Sequence, residues 1–280
     1  MMKSVARTLA FLSISIVAIA TLSPASAAEK PVPKPVHVGI ADQQPYSGLT
    51  SDGKVTGYAP EITSLIFQRI KMGAAVGHIA TYAELVPGLN AGRWDMIAAS
   101  LSITTARCAQ VLYGDPMLLD STSLAVKTGN PGKFFKIKDF KGTGKKLGIL
   151  SGSFLIASAK GLGIEDSQIV QFPDGQGALE GLKVGRIDAF LAQTNGLRKL
   201  SLITTNTFDT VGPLSEFFLS ASSVAFKLSD VKLRDRFNIE IKKMKRSGEL
   251  NAILVKWGFD PIPEKYRTWT AADICRGRKL

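Results

Sequence analysis

Short apolar runs alternate along the chain with longer stretches in which apolar residues recur at three- and four-residue spacing. The first pattern is that of strands buried on both faces, the second that of amphipathic helices, and their alternation predicts parallel α/β architecture. A strand is predicted at 36–40. A helix follows, opened by Gly57, Tyr58, Ala59, Pro60 and Glu61 and bearing Ile62, Leu65, Ile66 and Ile70; Pro60 suits a first helical turn. Further strands at 75–79 and 95–99 bracket a helix at 82–91. A strand at 123–127 then runs into Thr128, Gly129, Asn130, Pro131 and Gly132, a turn-rich stretch that predicts a boundary. Beyond it a second set begins, with strands at 147–150, 169–172 and 187–192 and helices at 154–160, 176–184 and 195–201. A strand at 222–226 reads as a return to the first set, followed by helices at 231–247 and 249–257. The expected organisation is a first lobe over 28–126, a second over 127–221, and a segment at 222–280 rejoining the first. Two crossings between two lobes make a hinge.

The N-terminus changes the picture. Lys3 and Arg7 precede an apolar run from Leu9 to Leu22, and Pro24 leads to Ala25, Ser26 and Ala27. That is the pattern of a signal peptide cleaved after about Ala27, so residues 1–27 are set aside and export to a periplasm is expected. No Cys follows the apolar run to receive a lipid. The net charge of +12 falls to about +10 once the leader is removed. Its basic residues are scattered over helix faces and a tail, so no nucleic-acid partner is expected. Cys108 and Cys275 allow one pairing in an oxidising compartment; the alternative is two buried thiols. A disulfide closing so long a loop would contribute up to about 5 kcal/mol in the chain-entropy model. With only His37 and His78 available, no metal site is expected, and no cofactor.

Several motifs in fixed order resemble one family. They are Asp52 to Gly57; Leu85 to Asp95, read as LVPGLNAGRWD; Ile97 to Arg107, read as IAASLSITTAR; Leu150 to Ser153; Gly185 to Ala189; and Lys256, Trp257, Gly258. Together they resemble the family 3 solute-binding proteins of polar amino-acid ABC importers over nearly the whole mature chain. Residues 59–62, the Arg107 and Cys108 pair, residues 129–131 and the late Cys275 are similar to members that bind ectoine and hydroxyectoine. The resemblance implies a periplasmic-binding-protein fold, with two α/β lobes of mixed sheets joined by two hinge crossings. It also implies a small-molecule ligand, an ABC permease in the inner membrane as partner, and a monomer.

Arg107 follows the 95–99 strand, at the strand edge where α/β folds bind ligands. A planar, always-charged guanidinium holds both oxygens of a carboxylate. Resemblance places Ser100 and Ser102 beside the ligand, and Ser153, at a strand-to-helix turn, adds N–H groups from the second lobe. Tyr46 and Tyr82 hold, by resemblance, the positions of rings that sandwich the ligand. Two departures stand out. Gln193 occupies the place where amino-acid binders carry an acid, and Gln43 the place where ectoine binders carry one. Asp42 is the alternative if the loop register differs. Ser102 also replaces an aromatic residue of the ectoine binders. The expected ligand therefore has a carboxylate and a neutral, acylated or delocalised nitrogen. A binding protein rather than an enzyme is expected, because no acid or His stands where a general acid or base is needed; an exported dehydratase and a chemosensory protein are the alternatives.

Overall fold

The computed structural model describes residues 33–204 and 207–280. The expected signal peptide, with its cleavage site at Ala27, lies outside the described residues.

The first stretch of chain builds strand β1 (Val36–Ile40), the short pair β2 (Gly48–Leu49) and β3 (Val55–Thr56), helix α1 (Tyr58–Arg69), β4 (Ala75–Ile79), α2 (Tyr82–Asn90), β5 (Met96–Ser102), α3 (Thr105–Cys108), β6 (Leu112–Tyr113) and β7 (Leu118–Asp120). The middle stretch builds β8 (Thr122–Val126), β9 (Leu147–Leu150), α4 (Phe154–Gly161), β10 (Ile169–Phe172), α5 (Gly175–Lys183), β11 (Ala189–Gln193), α6 (Thr194–Ile203) and β12 (Asp209–Val211). The last builds β13 (Ser220–Phe226), α7 (Val231–Ser247), α8 (Glu249–Lys256) and α9 (Ala271–Cys275).

Two mixed sheets result. The first runs β4-β1-β5-β13-β6, with β7 also on β13; the second runs β10-β9-β11-β8-β12. In each, three parallel strands meet one antiparallel strand, β13 in the first and β8 in the second. Those antiparallel strands are where the chain arrives from the other sheet. The strand expected to end the first lobe thus opens the second. The first crossing lies at Ser121, and the turn-rich 128–132 stretch is a surface feature beyond it. The second crossing, 212–219, runs alongside: Leu214 N–H donates to the Thr122 carbonyl and Ser220 pairs with Asp120.

Apolar clusters cover both faces of each sheet. On the first, α1, α7 and α8 bury Ile62, Ile66, Phe237, Met244 and Leu254 on one side, while α2 sets Leu85 and Leu89 with Trp94 and Ile97 on the other. Full burial of such a side chain contributes roughly 1.5–3 kcal/mol. Local chemistry fixes the ends of α2: Thr81 N–H donates to Glu84 Oε2 (2.9 Å) in a capping box. That cap fixes where Tyr82 emerges. The sheets' carboxyl edges, at Ser102, Leu150 and Gln193, face one another.

Candidate ligand-binding site

A narrow cavity lies between these edges. Gln43, Tyr82, Ser102 and Arg107 line it from the first lobe; Leu150, Ser153, Phe154, Leu155, Leu191, Ala192 and Gln193 line it from the second. Its volume is about 20 Å³, room for roughly one water molecule. A wider vestibule of about 500 Å³ adjoins it, sharing Gln43, Tyr82 and Leu150, with Asp42 on its wall.

Arg107 spans the two lobes. Its Nη1 donates to the Ser102 carbonyl (3.0 Å) and its Nη2 to the Gly152 carbonyl (2.7 Å). Two of its five N–H donors are thereby used, and three remain for a ligand. Gly152 allows this approach. Its φ of 73° is left-handed, and a Cβ there would lie 2.3 Å from the Ala83 nitrogen across the cleft. Any side chain would meet the opposite lobe.

Six of the eight expected side chains line the cavity. Tyr82 holds its position by donating from its hydroxyl to the Ala99 carbonyl (3.2 Å), and burial pushes its phenol pKa upward. Ser153 caps α4, accepting from Leu155 N–H (3.2 Å). Its own N–H, expected to face an anion, donates to the Leu150 carbonyl (3.0 Å). Gln193 Nε2 donates to Ser220 Oγ (3.0 Å). Gln43 is set by a backbone bridge to Ser47.

Tyr46 and Ser100 stand one layer back. Tyr46 is fully buried against Tyr58 and Phe259, its hydroxyl donating to Asp120 Oδ2 (2.5 Å) and accepting from Gly196 N–H (2.9 Å). Ser100 is buried too, with its hydroxyl held by Tyr58 (2.5 Å) and Ser222 (2.7 Å). Its φ is 53°, rare inside a strand. The cause is a bulge: between the Leu101–Ser223 and Ile97–Ala225 pairs, Ala98, Ala99 and Ser100 oppose Val224 alone. Beyond the bulge, the Ser102 carbonyl accepts from both Arg107 and Tyr113 Oη (2.9 Å).

The motifs did not single out Asp120. It is 2% exposed, accepts from Tyr46 and from Asn195 Nδ2 (2.9 Å), and ties the first lobe to the start of α6. Burial pushes its carboxyl up to about 7, although the bonds from Tyr46 and Asn195 pull it down. An acid directly after Met117, Leu118 and Leu119, with Leu124, Ala125 and Val126 close behind, is the signal that marks it. Cys108 and Cys275 form a disulfide, with Cα atoms 5.8 Å apart. Among the described residues, no cluster of three or more His, Cys, Asp or Glu is arranged to hold a metal ion.

Residues 36–260 match the family of bacterial extracellular solute-binding proteins, family 3. A probable amino-acid ABC transporter periplasmic-binding protein from Sinorhizobium fredii is 26% identical over 253 residues, covering 86% of this chain and 82% of that protein. The histidine-binding periplasmic protein of Salmonella typhimurium is 24% identical over 270 residues, covering 88% and 96%. Among solved structures, EhuB in complex with hydroxyectoine superposes with a TM-score of 0.81 at 31% identity, covering 87% of this chain and 95% of its own.

Proposed function

The chain belongs to the bacterial extracellular solute-binding proteins, family 3, and we propose that it captures a small carboxylate-bearing solute in the periplasm and delivers it to an ABC importer. The observation behind this reading is the Arg107 guanidinium bonded to a carbonyl of each lobe at the wall of their shared cavity. A carboxylate arriving there meets the remaining N–H donors. Charge-assisted bonds of this kind contribute roughly 1.5–3 kcal/mol each.

The nitrogen side of the ligand faces amides. Gln43 and Gln193 both line the narrow cavity, whereas Asp42 lines only the vestibule. An amide offers hydrogen bonds without a counter-charge, which favours an acylated or delocalised nitrogen over a free ammonium. Tyr82 supplies an aromatic wall. Relatives named for amino acids and for hydroxyectoine bracket the ligand class. Lobe closure around the ligand then presents one shape to the permease.

Titration calorimetry over standard amino acids, ectoines, opines and acylated amino acids tests the reading. At least one carboxylate compound of the last three classes should bind in the micromolar range or tighter, and Arg107→Met should weaken it by at least about 100-fold, the low end for two lost charge-assisted bonds. Tight binding of an unmodified amino acid would reject the assignment of the nitrogen side. Unchanged binding in the Met variant would move the anion site elsewhere.

A further inference from the structure

We infer that the Cys108–Cys275 disulfide positions Arg107, fastening the exposed turn that bears it to a buried anchor in the same lobe. The ligand role of Arg107 is the reading given above; its placement is a separate matter and is tested without ligand.

The turn has little else to hold it. The chain leaves the core at Ile103, whose N–H donates to the Ala221 carbonyl (2.8 Å), and returns at buried Val111. From Thr104 to Gln110 every residue is exposed or half-buried, and α3 buries none of its four residues. A single helical turn forms at a net cost and normally depends on packing of a buried face, which α3 lacks. Thr104 caps it weakly, accepting from Arg107 N–H at 3.3 Å. The two bonds made by the guanidinium end on carbonyls, one of them in the other lobe. That second bond breaks whenever the lobes part.

The disulfide is different because it stays within the first lobe and is covalent. Its far end, α9, is well fixed. Ala271 and Ile274 are buried in the cluster that also holds Leu101, Ile103 and Val111. Thr270 and Asp273 form a capping box, and Ala271 N–H donates to Asp115 Oδ1 (3.2 Å). Buried Lys245 donates to the Trp269 carbonyl (3.4 Å), and Arg278 stacks 3.8 Å above the Trp269 ring. Cys108 adjoins Arg107, so the link transmits that rigidity to the binding side chain. A binding group displaced by about 1 Å loses most of its contribution.

Phenylglyoxal labels guanidinium groups that are free to react, and peptide mass spectrometry resolves each arginine. In the intact protein without ligand, Cys108→Ser with Cys275→Ser should label Arg107 roughly tenfold faster, the change that accompanies easier local opening of α3. Arg93, stacked on Trp94, and Arg186, stacked on Phe172, serve as references and should keep their rates. The apolar pair Cys108→Val with Cys275→Ala guards against unfolding. An unchanged Arg107 rate overturns the inference. So does a parallel rise of all three arginines in both variants, which would make the disulfide a staple of the whole fold, since Arg93 lies in the first lobe and Arg186 in the second. No ligand enters this measurement, so its failure leaves the binding reading to the calorimetry.

Discussion

Asp120 shows how one buried side chain ties the lobes to solution conditions. Its carboxyl is held up to about 7 by burial, against an ordinary value of 3.8. Between those values the folded protein keeps a proton that the unfolded chain releases, so the unfolded state binds fewer protons. Stability therefore falls as pH rises from about 4 to about 7 and is level above that, as far as this group contributes. Asp120→Asn removes the titration and keeps an acceptor for Tyr46. Urea midpoints at pH 5 and pH 8 should differ less in the variant than in the parent protein; an identical difference would show that Asp120 is not the group responsible. The same neighbourhood marks the limit of reading residues from sequence. Arg107, Ser102 and Ser153, which lie within the family motifs, and Tyr82, Gln43 and Gln193, placed by resemblance, all line the cavity. Tyr46 and Ser100, also placed by resemblance, do not line it: Ser100 lies in the β5 bulge, where the alternation of faces along the strand is broken. Tyr46 is spent on Asp120, a partner 74 residues away that no local pattern announces.

Elements with full periodicity were legible almost to the residue, as β1, β4, β9, β10 and α7 are. Strands of two or three residues and helices of four or five, such as β6, β7, α3 and α9, are too short to show their period and exist through long-range pairing or caps. Composition also misplaced the first crossing, since a Gly- and Pro-rich turn looks the same on a lobe's surface as between lobes. The turn between β9 and α4 is more informative. Gly152 combines a left-handed backbone with an approach that leaves no space for a Cβ against Ala83. The conformational cost of Gly152→Ala falls on any arrangement of the lobes, whereas the clash falls only on the closed one. The variant should lose about 1 kcal/mol of stability without ligand. Its affinity for the tightest solute found by calorimetry should fall at least about tenfold, since 1.4 kcal/mol of hindered closure has that effect. Equal affinity in the two proteins would mean that the bound lobes stand further apart than here.

At the scale of the molecule, the size of the cavity and the contacts across it point the same way. A site for a small molecule spans roughly 300–1,000 Å³, whereas the cavity beside Arg107 has about 20 Å³ and the vestibule about 500 Å³. A solute reaches Arg107 only if the lobes part. The hydrogen bonds that span the lobes include Arg107 to Gly152, Tyr46 to Gly196, Asn195 to Asp120, Gln193 to Ser220, and Arg198 Nη1 to the Gly258 carbonyl (3.1 Å). Contacts of this kind contribute about 1 kcal/mol each, and roughly 1.5–3 kcal/mol where a guanidinium donates, terms of the same size as those a ligand adds by bonding to both lobes. Ligand, by bonding to both lobes at once, supplies the difference between the open and closed populations. Small-angle scattering should therefore give a larger radius of gyration for the protein alone than for the arrangement described, and a decrease on saturation with the calorimetric ligand. Arg107→Met should show the larger value with and without that compound. A parent protein whose radius stays constant through the titration would make closure independent of the ligand, and delivery to a permease would then need another signal than shape.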